Sequence, residues 1–388
     1  MHTIRALFAE RILEASMSYQ AGPSTDTLEW NQRLLDEAAE HGVTILSHLI
    51  GQDGLCEPYD RWGLDYPSGV YKEWRNPSCR NAQPGTEYLP AVIEYAHQNG
   101  IKYYAKLMSM EHSWLYADHP DWLERNRYGV LLHKLCPDVP AVRETILQYL
   151  VEFVQRYAAP ELLDPLDGVY LDHHRYRSYE ECWCKHTQRG FRERYGIDLW
   201  EATPSQRREY RSQVVAEFTA EVTQALRAIN PGLRIGLTEV DESWGHIPAI
   251  IRPEATGLDF VHVQYLSRPD RKLYDEFKAK VERYAAFFPE VWLQFDCRTP
   301  VPWTVASMGR FWTSIPSMVT MMEFAAEVKR DAAHADHLTG ISFFNLTAVP
   351  EDHPHRRAVF NCFNYELPEP FEIGPIVHPE PPLEVNIT

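Results

Sequence analysis

Short runs of β-branched and aromatic residues alternate along this chain with longer segments of helical periodicity, and this alternation is the feature that most restricts its fold. Strands that alternate with helices form βαβ units around a parallel sheet. Eight such runs are present, and eight parallel strands are the number that closes a (β/α)₈, or TIM, barrel. The predicted strands are Ile4–Phe8, Val43–Leu49, Ile101–Leu107, Gly168–Asp172, Arg234–Leu237, Asp259–Tyr265, Val291–Asp296 and Gly340–Asn345.

The intervals between these strands fit an α/β barrel except at two helices. The fifth helix must fit between about His246 and Gly257, and little room remains for an eighth helix after Asn345. We therefore predict one barrel over residues 1–365 that is irregular at its fifth and eighth helices. A Pro-rich tail over residues 366–388 follows it.

Charge and hydropathy restrict the partners of this 388-residue chain. Its formal charge of −17 disfavours nucleic acid, which requires a basic surface. No apolar run is long enough to span a bilayer, and no signal-peptide core is visible, so we expect no membrane association. A cytoplasmic location is expected, or a secreted one if a leader has been trimmed. The absence of a Gly-rich phosphate loop predicts no organic cofactor, and the oligomeric state is left open.

Polar side chains gather at the ends of the predicted strands, where barrel enzymes place their catalytic groups. Alternation along the seventh strand puts Trp292, Gln294 and Asp296 on one face, and we expect this more polar face to point inward. His262 and Gln264 share the corresponding face of the sixth strand. The candidate substrate-binding residues are His48, Lys106, Glu111, His112, His173, His174, Arg175, Trp244, Gln264, Arg298, Trp303 and Asn345.

Three carboxylates lie at the carboxyl ends of predicted strands, and they suggest which reaction this end of the barrel catalyses. Glycoside hydrolysis uses one carboxyl group as an acid and a second as a nucleophile or base. Asp172, Glu239 and Asp296 end three different strands and could surround one sugar ring. We predict Asp172 as the nucleophile or base and Glu239 as the leading acid candidate, with Asp296 as the alternative partner.

Five segments resemble a known family. They are His119–Leu123, Cys136–Asp138, Asp167–Asp172, Cys182–Cys184 and Phe191–Asp198. Together they are similar to the glycosyl-hydrolase-like family 10, a group of barrels that includes the hydrolase domain of poly-N-acetylglucosamine-processing proteins. The resemblance implies a barrel glycosidase in which Asp172 is the acidic residue of the fourth-strand motif and Arg175 is its arginine. The chain differs at His173-His174, where the family more often has a hydrophobic or aromatic pair.

Three other interpretations compete with a glycoside hydrolase that acts on a carbohydrate substrate. Asp172-His173-His174 could mark a metal-dependent hydrolase, but the further acidic and histidine motifs of such enzymes are missing. Cys182, Cys184 and His186 have the residue types of a zinc site, yet their spacing is tight and no fourth ligand is evident. A non-catalytic carbohydrate-binding barrel is the third alternative, since fold alone does not establish catalysis. We therefore predict a glycosidase without a metal cofactor.

Overall fold

The computed structural model describes most of the chain. The described residues are 3–16, 27–50, 64–72, 75, 79–83, 85–112, 115–116, 118–177, 182–239, 246–265, 271–297, 315–344, 346 and 354–367.

Eight parallel strands form a closed barrel, which confirms the predicted (β/α)₈ fold. Around the barrel the order is β1-β2-β3-β6-β7-β8-β9-β10, and β10 pairs with β1. Two further strands, β4 and β5, form a separate antiparallel hairpin inserted after β3. The strands are β1 (Glu10–Ser16), β2 (Ile45–Ile50), β3 (Lys102–Met108), β4 (Leu123–Arg125), β5 (Leu131–Leu135), β6 (Gly168–Asp172), β7 (Arg234–Glu239), β8 (Phe260–Tyr265), β9 (Val291–Asp296) and β10 (Leu338–Phe344).

At least one α-helix follows each barrel strand. The α-helices of the described residues are α1 (Ile4–Leu7), α2 (Leu28–Glu40), α3 (Leu89–Gln98), α4 (Pro140–Tyr157), α5 (Lys185–Tyr195), α6 (Pro204–Ile229), α7 (Pro253–Thr256), α8 (Arg271–Ala285), α9 (Ile315–Asp331) and α10 (Pro354–Phe363). Helix α6 begins with a complete capping box between Thr203 and Gln206, and Pro204 occupies its first turn. None of the described helices combines the length and the hydrophobicity that crossing a bilayer requires.

The first strand lies downstream of its predicted position. Residues Ile4–Leu7 form one helical turn, because the Thr3 side chain caps it by accepting a hydrogen bond from the Ala6 backbone N–H. The strand is Glu10–Ser16, which pairs with β10 on one side and β2 on the other. The prediction of a strand at Ile4–Phe8 was therefore wrong.

The helix after β7 is as short as predicted, whereas the helix after β10 is longer than predicted. Helix α7, which follows β7, has only four residues, as the short interval predicted. The expectation of little room after β10 was wrong, because α10 supplies ten residues and buries Val359, Phe360 and Phe363. This end of the chain also contacts the start, since the Ile4 backbone N–H donates to the Tyr365 carbonyl at 3.1 Å.

Aromatic rings fill one layer of the barrel interior. The cluster consists of Ile12, Ile45, Tyr104, Tyr170, Phe260 and Trp292, all buried. Glycines on neighbouring strands make room for these rings: a Cβ atom on Gly236 would lie 2.2 Å from Phe260, and one on Gly340 would lie 2.4 Å from Trp292. The inward positions that follow along the strands form the next layer, which is polar.

Candidate active site

Two buried carboxylates and one lysine meet in this polar layer. Lys106 lies two positions beyond Tyr104 on β3, and Asp172 lies two beyond Tyr170 on β6, so strand alternation turns both side chains inward. Lys106 Nζ is 3.1 Å from Glu14 Oε2 and 3.6 Å from Asp172 Oδ2. The ammonium group therefore connects a carboxylate of β1 to one at the end of β6.

Glu14 is the deepest acidic group of this network. Its Oε1 accepts hydrogen bonds from the Gln294 amide and the Ser342 hydroxyl, and His262 Nε2 is 3.5 Å away. Burial alone would raise the pKa of Glu14, but the charge of Lys106 and the hydrogen bonds from these two donors outweigh it and lower the pKa. Glu14 is thus an ionised group whose two oxygens are both engaged inside the protein.

Sequence reasoning missed Glu14 because the first strand was placed at the wrong residues. The segment Glu10–Ser16 does carry a usable signal: Ile12 and Glu14 share one face, while Leu13 and Ala15 share the other. That alternation would have placed a carboxylate inside the barrel if the strand had been located correctly.

Asp172 lies at the carboxyl end of β6 and is also buried. Burial on its own would raise the pKa of this carboxyl group, but the positive charges of Lys106 and Arg175 outweigh burial and lower the pKa. The His173 backbone N–H also donates to Asp172 Oδ1 at 3.0 Å. The side chain is therefore held as a carboxylate in a largely water-free position, where charges interact strongly.

A second charged group lies beside Asp172. Glu111, in the segment after β3, places Oε1 2.8 Å from Lys134 Nζ and Oε2 2.7 Å from His173 Nδ1. His173 has a φ of 53°, which is uncommon for a residue other than glycine. Arg175 Nη2 lies 3.3 Å from the same Nδ1 atom. Strained backbone of this kind is enriched at functional sites.

The contacts of His173 assign its ring atoms. The shortest contact joins Nδ1 to a Glu111 oxygen, so Nδ1–H is the donor and Nε2 is the atom left for a ligand. Burial lowers the pKa of His173 despite the nearby carboxylates. The ring is therefore neutral near pH 7, with Nε2 as an acceptor, and it is 22% exposed.

Other candidates from the sequence point away from this cluster. His48 Nδ1 is 2.6 Å from the Tyr103 hydroxyl, on the side of β2 that faces the helices. His174 is stacked on Phe218 of α6, with Nδ1 2.7 Å from Ser109 Oγ. His174 thus points toward α6, and Asp172, His173 and His174 are not among the groups of described residues whose ligand atoms lie close enough to share a metal ion.

Three more candidates lie around the edge of the cluster. His112 packs edge-on against Tyr149 of α4. Glu239 is buried at the end of β7, on the strand face shared with Leu237, and its Oε2 is 3.4 Å from Lys280 Nζ. Gln264 is buried on β8 on the same face as His262, as the strand alternation predicts.

Five predicted site residues lie wholly or partly outside the described part of the chain. Trp244, Arg298, Trp303 and Asn345 lie outside the described residues, and for Asp296 only the backbone is described. That backbone pairs with Phe344 at the end of β10. The described part of the predicted site therefore centres on Lys106, Glu111, Asp172, His173 and Arg175, to which the structure adds Glu14 and Lys134.

Comparisons with known proteins agree with this barrel. The family model described as Glycosyl hydrolase-like 10 matches residues 64–250. No curated protein sequence matches the chain.

Solved structures share the fold at low sequence identity. The glycoside hydrolase domain of PgaB (BpsB) from Bordetella bronchiseptica is 12% identical with a TM-score of 0.64, and the match covers 92% of this chain and 99% of that one. Alpha-L-fucosidase isoenzyme 2 from Paenibacillus thiaminolyticus is 14% identical with a TM-score of 0.64, over 91% of this chain and 48% of that one. The beta-galactosidase from Halorubrum lacusprofundi is 14% identical with a TM-score of 0.61, over 90% and 57%.

This chain thus spans about half the length of the fucosidase and little more than half of the galactosidase. At such identities the likeness concerns the fold. The family match concerns the sequence itself, and it includes β3, β6 and β7 with Lys106, Asp172 and Glu239. Residues 64–250, just under half of the chain, match the glycosyl-hydrolase-like family 10, and they contain the five segments in which the sequence resembles that family.

Proposed function

We propose that this protein hydrolyses O-glycosidic bonds of a poly- or oligosaccharide, with Asp172 as the central carboxylate. The observation that carries the proposal is the environment of Asp172 at the barrel mouth. It is buried, yet the positive charges of Lys106 and Arg175 keep its pKa low. A desolvated carboxylate that stays ionised suits attack on an anomeric carbon, activation of a water molecule, or stabilisation of an oxocarbenium-like transition state.

The second carboxyl group must deliver a proton to the leaving oxygen. An acid of this kind needs a raised pKa, which a nearby cation opposes. Glu239 is buried at the end of β7, and its Oε2 lies 3.4 Å from Lys280 Nζ of α8. Asp296 is the better candidate for the acid, with Glu239 as its competitor, because Glu239 contacts the helix layer whereas position 296 shares the strand face of Gln294 on β9.

The remaining polar groups suit sugar recognition. His173 is held by Glu111 and offers Nε2 as an acceptor for a sugar hydroxyl. Glu111 has both oxygens engaged, by His173 and by Lys134, so its role is to orient His173. Because Glu14 is likewise fully engaged, it acts through Lys106, which it holds against Asp172.

The first experiment compares wild type with Asp172→Asn on a panel of polysaccharides and aryl glycosides. We expect the variant to release product about 10²–10⁴ times more slowly than the wild type, which is the range for loss of a positioned acid or base. The matched control is Asp167→Asn, which changes the residue directly before β6. Asp167 lies at the opposite end of the barrel, where its Oδ2 accepts a hydrogen bond from the Tyr103 backbone N–H. That change should affect stability and leave turnover intact.

A second measurement separates the acid candidates. In an aryl glycoside of an acidic phenol, the phenolate leaving group departs without protonation. A variant that lacks the general acid therefore keeps activity on this substrate and loses activity on polysaccharide. We expect this split for Asp296→Asn and not for Glu239→Gln. Equal turnover by wild type and a folded Asp172→Asn variant would remove Asp172 from the mechanism. Sugar binding without release by either protein would indicate a carbohydrate-binding barrel instead.

A further inference from the structure

Three buried thiols meet between the β4–β5 hairpin and α5. Cys136 Sγ is 3.6 Å from Cys184 Sγ, and the sulfur atoms of Cys136, Cys182 and Cys184 all lie within 4.8 Å of one another. Cys136 follows β5 directly, whereas Cys182 and Cys184 immediately precede α5. We propose that these three cysteines bind one zinc ion as thiolates, and that the ion joins the hairpin to the start of α5.

The spacing of the sulfur atoms suits a single metal ion. Zinc–sulfur bonds of about 2.3 Å in a tetrahedron place neighbouring sulfurs about 3.8 Å apart. The Cys136–Cys184 distance is within a few tenths of an ångström of this edge. An iron–sulfur cluster would need a wider arrangement, because the cage of the cluster separates its ligand sulfurs. Soft thiolate ligands in a compact, tetrahedral set favour zinc.

Two of the three sulfurs accept hydrogen bonds from backbone N–H groups, as metal-bound thiolates commonly do. Cys182 Sγ accepts hydrogen bonds from the backbone N–H groups of Arg125 at 3.1 Å and of Cys184 at 3.2 Å. Cys184 caps α5, and its sulfur accepts from the Thr187 backbone N–H at 3.5 Å. The buried Arg211 guanidinium donates to the Cys182 carbonyl at 3.0 Å and brings a positive charge to the cluster. Hydrogen bonds of this kind orient metal ligands and balance their charge.

An oxygen atom is placed to complete the tetrahedron. Thr187 Oγ1 lies 3.5 Å from Cys136 Sγ and 3.4 Å from Cys184 Sγ, and it donates to Asp138 Oδ2 at 2.6 Å. The fourth ligand is this hydroxyl or a water molecule held in its place. His186, which the sequence suggested as a ligand, is not within 4.8 Å of all three sulfurs, and Cys136 takes its role.

The site also has an entry path and a structural consequence. Cys184 lines a surface groove of about 470 Å³, through which an ion can reach the sulfurs. The hairpin already contacts the segment before α5, since the Trp183 backbone N–H donates to the Arg125 carbonyl at 2.7 Å. Lys134 of this hairpin contacts Glu111 in the candidate active site. A zinc ion would therefore stabilise the support of that site without entering the chemistry.

A disulfide is the competing use of these cysteines. It could join only two of them, such as Cys136 and Cys184, and would leave the third thiol buried and unmodified. Zinc engages all three at once. The two possibilities differ in metal content and in the number of thiols that can be alkylated without a reductant.

The test uses the full chain, purified without chelators, reconstituted with zinc and dialysed. We expect one tightly held zinc ion per chain in wild type and in the control Cys362→Ser, which removes a buried thiol of α10. Cys136→Ser and Cys184→Ser should lose the ion. A chelator should lower the Tm of wild type and of the control, and should leave the Tm of the two cluster variants unchanged.

A second readout counts the thiolates directly. Cobalt(II) added to the metal-free protein should give a thiolate-to-cobalt charge-transfer band in wild type and control, and the band should be lost in the cluster variants. If the variants fail to fold, the wild-type measurements decide. Zinc-free wild type after reconstitution, another metal in its place, or a Cys136–Cys184 disulfide on alkylation without reductant would each overturn the proposal.

Discussion

Replacement of Lys106 by methionine tests whether one buried cation holds the interior carboxylates. In the native protein Lys106 Nζ is within 4 Å of both Glu14 and Asp172, and all three side chains are almost fully buried. Met fills a similar volume against the Phe344 ring, which the ammonium contacts at 4.5 Å. The substitution therefore removes the charge and leaves two buried carboxylates without their shared partner.

The expected loss is large because the carboxylates stay behind. Breaking a buried ion pair by removing one partner costs about 3–5 kcal/mol, whereas an exposed pair contributes about 0–1 kcal/mol. Lys102 provides the matched control on the same strand: its Nζ lies 2.6 Å from Glu10, but the side chain is 46% exposed. Lys102→Met should therefore lower the free energy of unfolding by no more than about 1 kcal/mol.

Urea unfolding at several pH values measures both variants. In Lys106→Met the pKa values of Glu14 and Asp172 rise, so these groups take up protons more readily in the folded state. The deficit relative to wild type should therefore shrink as the pH falls from 8 to 5. Adding Glu14→Gln to Lys106→Met should recover stability, with a coupling energy of about 0.5–3 kcal/mol. The reasoning is refuted if the two lysine variants lose equal stability, or if the deficit does not depend on pH.

Three further predictions concern the fold. Gly236→Ala should lower the free energy of unfolding by at least about 1–3 kcal/mol, because its Cβ would lie 2.2 Å from Phe260. The control Gly232→Ala should change it little, because its Cβ would meet only Asn230 Oδ1 at 3.5 Å. Thermal unfolding compares the two variants. Thr203→Ala removes the cap of α6 and should cost about 1 kcal/mol in urea unfolding, with no cost if the capping box is not formed in solution. Burial lowers the pKa of five histidines to about 3 or 4, namely His48, His112, His174, His246 and His262. In the unfolded state their pKa is near 6.5, so below that pH the unfolded chain binds more protons, and the free energy of unfolding should fall by up to about 1.4 kcal/mol per group and pH unit. Flat stability between pH 7 and pH 5 in urea unfolding would contradict their burial as neutral rings.

The sequence by itself determined the architecture and much of the candidate site, because both depend on local periodicity. The period of two along β8 and β9 correctly assigned Phe260 and Trp292 to the interior and Val261 and Leu293 to the helix layer. Seven of the eight predicted strands overlap the observed ones, and the fourth-strand motif ends at Asp172 in both cases. Locating the carboxyl ends of the strands was enough to place Lys106, Asp172 and His173 at one mouth.

Tertiary structure alone decided which polar groups meet. One position along a strand separates an inward from an outward side chain, so His48 and Glu239 contact Tyr103 and Lys280 on the helix side. Glu14 meets Lys106, 92 positions away in sequence, only because the curvature of the barrel brings the inward side chains of β1 and β3 together across β2. Cys136 meets Cys184 across 48 positions because the β4–β5 hairpin packs against the start of α5. Periodicity specifies the face of an element, whereas contacts between distant elements depend on register and closure, which no local pattern encodes.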